Sequence, residues 1–132
     1  MWFAESWRHK LGPERMLVLG SLGAILRWVA MAFSPPVPVL FALQALHAMT
    51  FAAVFMASLP LIERHSPPES ASAAQVVNSA LSSGLLIGLA TSVSGPLFDH
   101  VGAKGYWAMA LMALIGLMVA LQLRRLTAGL KA

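Results

Sequence analysis

Cysteine is absent from this sequence, which excludes disulfides and cysteine-bound metal sites. Acids are scarce: Glu5, Glu14, Glu63, Glu69 and Asp99 are the whole set, against nine lysines and arginines. The four histidines show no metal-ligand spacing, no phosphate-binding glycine loop appears, and no serine sits in a nucleophile elbow. These absences leave no catalytic grouping, so the chain does not read as an enzyme, and no metal or other cofactor is expected. Charge is sparse altogether. Only 11% of the residues are Asp, Glu, Lys or Arg, where soluble domains carry about 25%.

What is present is hydrophobic. Apolar residues make up 58% of the 132-residue chain, and the mean hydropathy is +0.75, the composition of an integral membrane protein. A net charge of +4 and a pI near 10.4 would suggest nucleic acid in a soluble chain. Here the positive charges stand at the ends of hydrophobic runs, so membrane orientation accounts for them and no nucleic-acid partner is expected. The N-terminus does not look like a secretory signal, because no small-residue cleavage site follows its first apolar run.

A bilayer core about 30 Å thick takes about 20 apolar residues of helix to cross. Four stretches come close to this: residues 16–33, 37–62, 74–98 and 106–123. Runs of this length in lipid must be helical, since a helix satisfies its own backbone hydrogen bonds. The expected fold is therefore all-α and polytopic, a single transmembrane region over residues 1–132 with four spanning helices. Residues 1–7 are too short to span and read as the remnant of a further helix or an interfacial anchor. The connectors are short, and "SPPVP" between the first two spans suits a tight turn.

Lysine and arginine set the orientation. With four alternating spans, Arg8, Lys10, Arg15, Arg64, Arg124, Arg125 and Lys131 share one side, and Lys104 alone lies on the other. This bias places both termini in the cytoplasm.

Two ionisable residues lie at membrane depth. The stretch "AILRWVAMAF" buries Arg27 in apolar sequence, where an arginine costs about 2.5–3.5 kcal/mol on insertion scales. Gly20, Gly23, Ala24, Arg27 and Met31 share a helical face, so close packing of a neighbour would turn Arg27 into protein. Snorkelling to the interface, roughly 10 Å away along the helix, is the competing reading. His47 sits near the centre of the second span, on a face shared by Gln44, by Thr50 or Phe51, and by Ser58. An ionisable group at such depth is a functional candidate by default, and a neutral histidine hydrogen-bonded between helices is the competing reading. Counted from their shared outer turn, Arg27 and His47 differ in depth by about 5 Å. Within this chain His47 is the one group at depth that titrates near neutrality. The third span opens with "QVVNSALSSGLLIG", whose Gln75, Asn78, Ser79, Ser82 and Ser83 give it a polar cytoplasmic half, suited to lining a solute path or to packing. Gly84 and Gly88 form a G-x-x-x-G read as a close helix contact. The fourth span, free of charge from Tyr106 to Gln122, reads as a lipid-facing helix without a site.

Three stretches carry a family resemblance. "RHKLGPERML" resembles the degenerate basic loop of major facilitator superfamily transporters, and "GPLFDHVGAKGYW" is similar to the connection between their last two helices. Between them, "LRWVAMAFSPPVPVLFALQALHAMTF" resembles the phenylpropionate transporter-like branch, related to lactose permease-type proton symporters. The resemblance runs over roughly residues 7–125 and implies the last four helices of such a transporter plus the end of the one before, a partial major facilitator fold. It implies that Arg27 and His47 serve substrate binding and proton coupling. With Gln44 and Asn78 they make the candidate substrate and proton pathway. The glutamate that follows the histidine one turn later in lactose permease-type proteins is Thr50 here. The implied function is secondary transport of a small organic solute, an aromatic acid or a sugar, with protons. The implied location is a bacterial-type inner membrane. The implied partners are the bilayer and the missing N-terminal helices. A small four-helix membrane protein acting as a subunit is the alternative reading.

Overall fold

A computed structural model describes residues 11–129, so the short helix expected over residues 1–7 lies outside the described residues. All regular structure among the described residues is helical. The elements are α1 (Pro13–Ala32), α2 (Val37–His65), α3 (Ala71–Ser79), α4 (Ile87–Val101) and α5 (Tyr106–Gly129). A π-helical segment, Ala80–Leu86, joins α3 to α4, and short 3-10 turns, Pro68–Ser70 and Gly102–Gly105, precede α3 and follow α4.

The helix ends follow local chemistry. Gly12 enters α1 at φ 75°, a conformation open to glycine, and Pro13 takes the first helical position, where its missing N–H leaves nothing unpaired. Ser34, at φ 51°, and the following Pro35-Pro36 turn the chain from α1 into α2. Ser66 is extended and is followed by two prolines, so α2 stops at His65.

Three helical stretches are long and apolar enough to cross a membrane: Pro13–Ala32, Val37–His65 and the continuous run Pro68–Gly129. The last has 62 residues, which as one straight helix would measure roughly 90 Å, about three bilayer cores. It is interrupted at Gly102, whose φ of 57° breaks the helical path. The chain is thus an integral, multi-pass membrane protein.

α1 is the central helix and packs on both α2 and α5. On the α2 side, Gly20 and Gly23 meet Leu46, Thr50 and Val54. The buried residues of α2, Leu43, Thr50, Ala57 and Leu61, recur at spacings of seven, seven and four, the seam of an antiparallel helix pair packed closely over small residues. On the other side α5 buries Ala110 and Ala120, whose small side chains permit the same close approach. At the charged end Arg64 of α2 reaches Glu14 of α1 at 3.5 Å.

The third expected span is different. From Val76 to Leu89 every side chain is exposed, and a Cβ added at Gly84 or Gly88 meets nothing within 4 Å. The close contact expected of this G-x-x-x-G is therefore not made among the described residues. In this chain Gly84→Ala is expected to be neutral or to stabilise by about 0.5–1 kcal/mol, since the gain in helix propensity meets no clash. Unfolding in detergent micelles checks this, and a fall in stability would mean that another helix covers the glycine.

Candidate functional site

Arg27 lies on the packed face of α1, one turn beyond Gly23, and is 8% exposed. Its guanidinium carbon stands 3.8 Å from the centre of the Trp28 ring. Trp28 in turn stacks on Tyr106 at the start of α5, with ring centroids 5.6 Å apart and planes 21° off parallel. Phe98 meets Tyr106 edge-on at 6.4 Å. A cation over an indole face is held by the ring quadrupole, most strongly where water is excluded. The arginine thus keeps its charge within the helix seam on an aromatic platform. Its Nε is buried and has no hydrogen-bond partner, an orphaned donor that an anionic or carbonyl oxygen would satisfy.

The other three candidates are arranged differently. His47 and Gln44 lie on the exposed face of α2, with the His47 ring 6.3 Å from that of Phe51. Thr50 does not share that face. It is buried against Gly23 of α1, and its hydroxyl donates to the backbone oxygen of His47 at 3.0 Å. A β-branched residue one turn from the histidine therefore serves the seam, and Phe51 is its neighbour on the open side. Asn78 is exposed on α3, its backbone oxygen accepting from Ser82 at 2.6 Å. Among the described residues, the side chains of Arg27, Gln44, His47 and Asn78 make no hydrogen bond with one another.

Trp28 and Tyr106 are the additions that sequence reasoning missed. They line a cleft of about 410 Å³ with Phe98, Met109, Ser94 and Gly95, between α1, α4 and α5. The fourth helix, expected to carry no site, supplies one wall. The available signal was the aromatic pair that follows the glycine-bounded turn "GAKGYW". The Trp28–Tyr106 stack is expected to couple energetically. A double-mutant cycle of Trp28→Ala and Tyr106→Ala, read by unfolding in micelles, is expected to give an interaction energy of about 1 kcal/mol; additive losses would show that the rings are adjacent without supporting each other.

Helices of this length and apolar character, packed over small residues around a buried arginine, describe a multi-pass membrane protein. The MFS_1-like family matches residues 1–109. A protein of Escherichia coli (strain K12) named "Probable 3-phenylpropionic acid transporter" is 31% identical over 106 residues, covering 80% of this chain and 28% of the relative. The chain belongs to the MFS_1-like family of the major facilitator superfamily, and it spans under a third of the length of this relative. No solved structure matches significantly.

Proposed function

We propose that this chain is the C-terminal portion of a proton-coupled secondary transporter for a small organic acid, working in a bacterial-type inner membrane. Four crossings are proposed, with the run from Pro68 to Gly129 divided at Gly102–Gly105 and the basic ends of the helices in the cytoplasm. The observation that carries the reading is the buried, unsatisfied Nε of Arg27, whose guanidinium lies over Trp28, one wall of a cleft shared with Phe98 and Tyr106. A carboxylate suits the guanidinium by charge and by its paired oxygens, and an aromatic ring suits the cleft wall. The name of the E. coli relative supports the same class, an aryl-substituted carboxylate. His47, among the described residues the one histidine in the middle of a spanning helix, is the proposed proton carrier. Gln44 and Asn78 are proposed to line the path from the exposed faces of α2 and α3.

Alternating access needs two half-bundles moving about a site at their interface, so transport is assigned to the complete protein that contains these helices. The exposed stretch Val76–Leu89 of the third span supports further helices packing there. Uptake of radiolabelled 3-phenylpropionate by cells expressing the complete protein tests the reading. Accumulation above an empty-vector control that collapses with a protonophore is expected. Accumulation equal to the control would remove the substrate class, and accumulation indifferent to the protonophore would remove the coupling.

A further inference from the structure

We propose a second site, for the phosphate of an anionic phospholipid, in the cleft between the first turn of α1 and the last turns of α5. The cleft has a volume of about 330 Å³ and is walled by Leu11, Glu14, Arg15, Arg124, Thr127 and Ala128. Two arginines from different helices therefore face one opening, and both are exposed. The acid in the wall does not cancel them. Glu14 is mostly buried, its side chain 12% exposed, and it is paired with Arg64 of α2 at 3.5 Å. The Thr127 hydroxyl donates back to the backbone oxygens of Leu123 and Arg124 at 3.0 and 3.1 Å, so its proton is already engaged within α5. Arg15 and Arg124 are the recognition elements, and the planar guanidinium fork matches two phosphate oxygens at once.

The surroundings decide between a lipid and a soluble phosphate. On α1, Leu19 and Leu22 follow Arg15 by four and seven residues, on the same helical face, and are 49% and 47% exposed. On α5, Leu121 and Leu114 precede Arg124 by three and ten residues and are 36% and 42% exposed. Each arginine thus has exposed leucines further along a helix long enough to cross a bilayer, the direction an acyl chain takes from its headgroup. Basic pockets between membrane helices at the charged face hold anionic headgroups in this way. The inference uses no part of the transport reading.

Native mass spectrometry of the purified chain in detergent, titrated with phosphatidylglycerol or phosphatidylcholine, tests it. One retained phosphatidylglycerol is expected, with phosphatidylcholine retained at least tenfold less. The Arg15→Gln/Arg124→Gln double variant is expected to lose that retention at least tenfold, whereas Arg125→Gln, outside the cleft, keeps it. Inorganic phosphate at millimolar concentration is expected not to displace the lipid. Equal retention by the double variant, equal retention of phosphatidylcholine, an equal loss in Arg125→Gln, or displacement by inorganic phosphate would each overturn the proposal. If circular dichroism shows the double variant to be unfolded, Arg124→Gln alone decides: the loss supports the site and full retention overturns it.

Discussion

Arg27→Lys in the complete transporter is expected to lower uptake by about tenfold to a hundredfold, while the amount of protein in the membrane changes little. The charge is kept, so the seam is not asked to accept an apolar substitute for a cation. What is lost is geometry. Lysine has no Nε donor at the position now buried without a partner, and no planar fork to set against a carboxylate. A charge-assisted hydrogen bond contributes about 1.5–3 kcal/mol, which converts to that range of fold-changes. The ammonium would also stack less well on Trp28 than a guanidinium 3.8 Å from the ring centre. Initial uptake rates, normalised to transporter in the membrane by immunoblot, measure the effect. Uptake equal to wild type would remove Arg27 from solute binding and leave it a structural cation.

The second large effect is expected at Gly20. A Cβ built there comes within 2.7 Å of the Val54 side chain and 3.3 Å of the Thr50 backbone oxygen. The side-chain clash can be relieved by rotation or replacement of Val54, but the backbone oxygen cannot move without separating α1 from α2. Gly20→Leu is therefore expected to destabilise by about 1–3 kcal/mol or more, as overpacking of a close seam does, and to lower the yield of folded protein. Gly20→Ala combined with Val54→Ala is expected to recover most of the loss, since it removes the flexible half of the clash. Resistance to unfolding by denaturant in micelles reads both variants. An unaffected Gly20→Leu protein would mean that the two helices do not meet at this seam.

The helical, membrane-spanning character of the chain was legible because it depends on length and hydrophobicity, which are local properties. The Gly20–Gly23–Arg27 face was also legible, since small residues at helical spacing in an apolar run favour close approach of another helix, here α2. The partition of α2 was not. His47, Thr50 and Phe51 lie within one turn, and periodicity alone admits either Thr50 or Phe51 beside the histidine. Which one faces α1 is decided by the register in which Leu43, Thr50 and Ala57 pack, a property of two helices together. The Trp28–Tyr106 stack was illegible for a related reason. Nearly eighty residues separate the two rings, and nothing local to either stretch states that the last helix returns to the first. The G-x-x-x-G of the third span reads in sequence as a close helix contact, but the described residues supply no helix to lie against it.

The π-helical segment changes how the third span must be projected. Hydrogen bonds that close over five residues instead of four accommodate roughly one extra residue, and one residue of an α-helix is about 100° of rotation. The polar side chains before Ala80–Leu86 and those after it therefore fall out of angular phase. Gln75 and Asn78 cannot be continued to Ser92 and Ser94 on a single helical wheel, however regular their spacing looks in the sequence. The span presents two stripes that look in different directions at different depths, so one element can address one neighbour near the charged face and another near the opposite end.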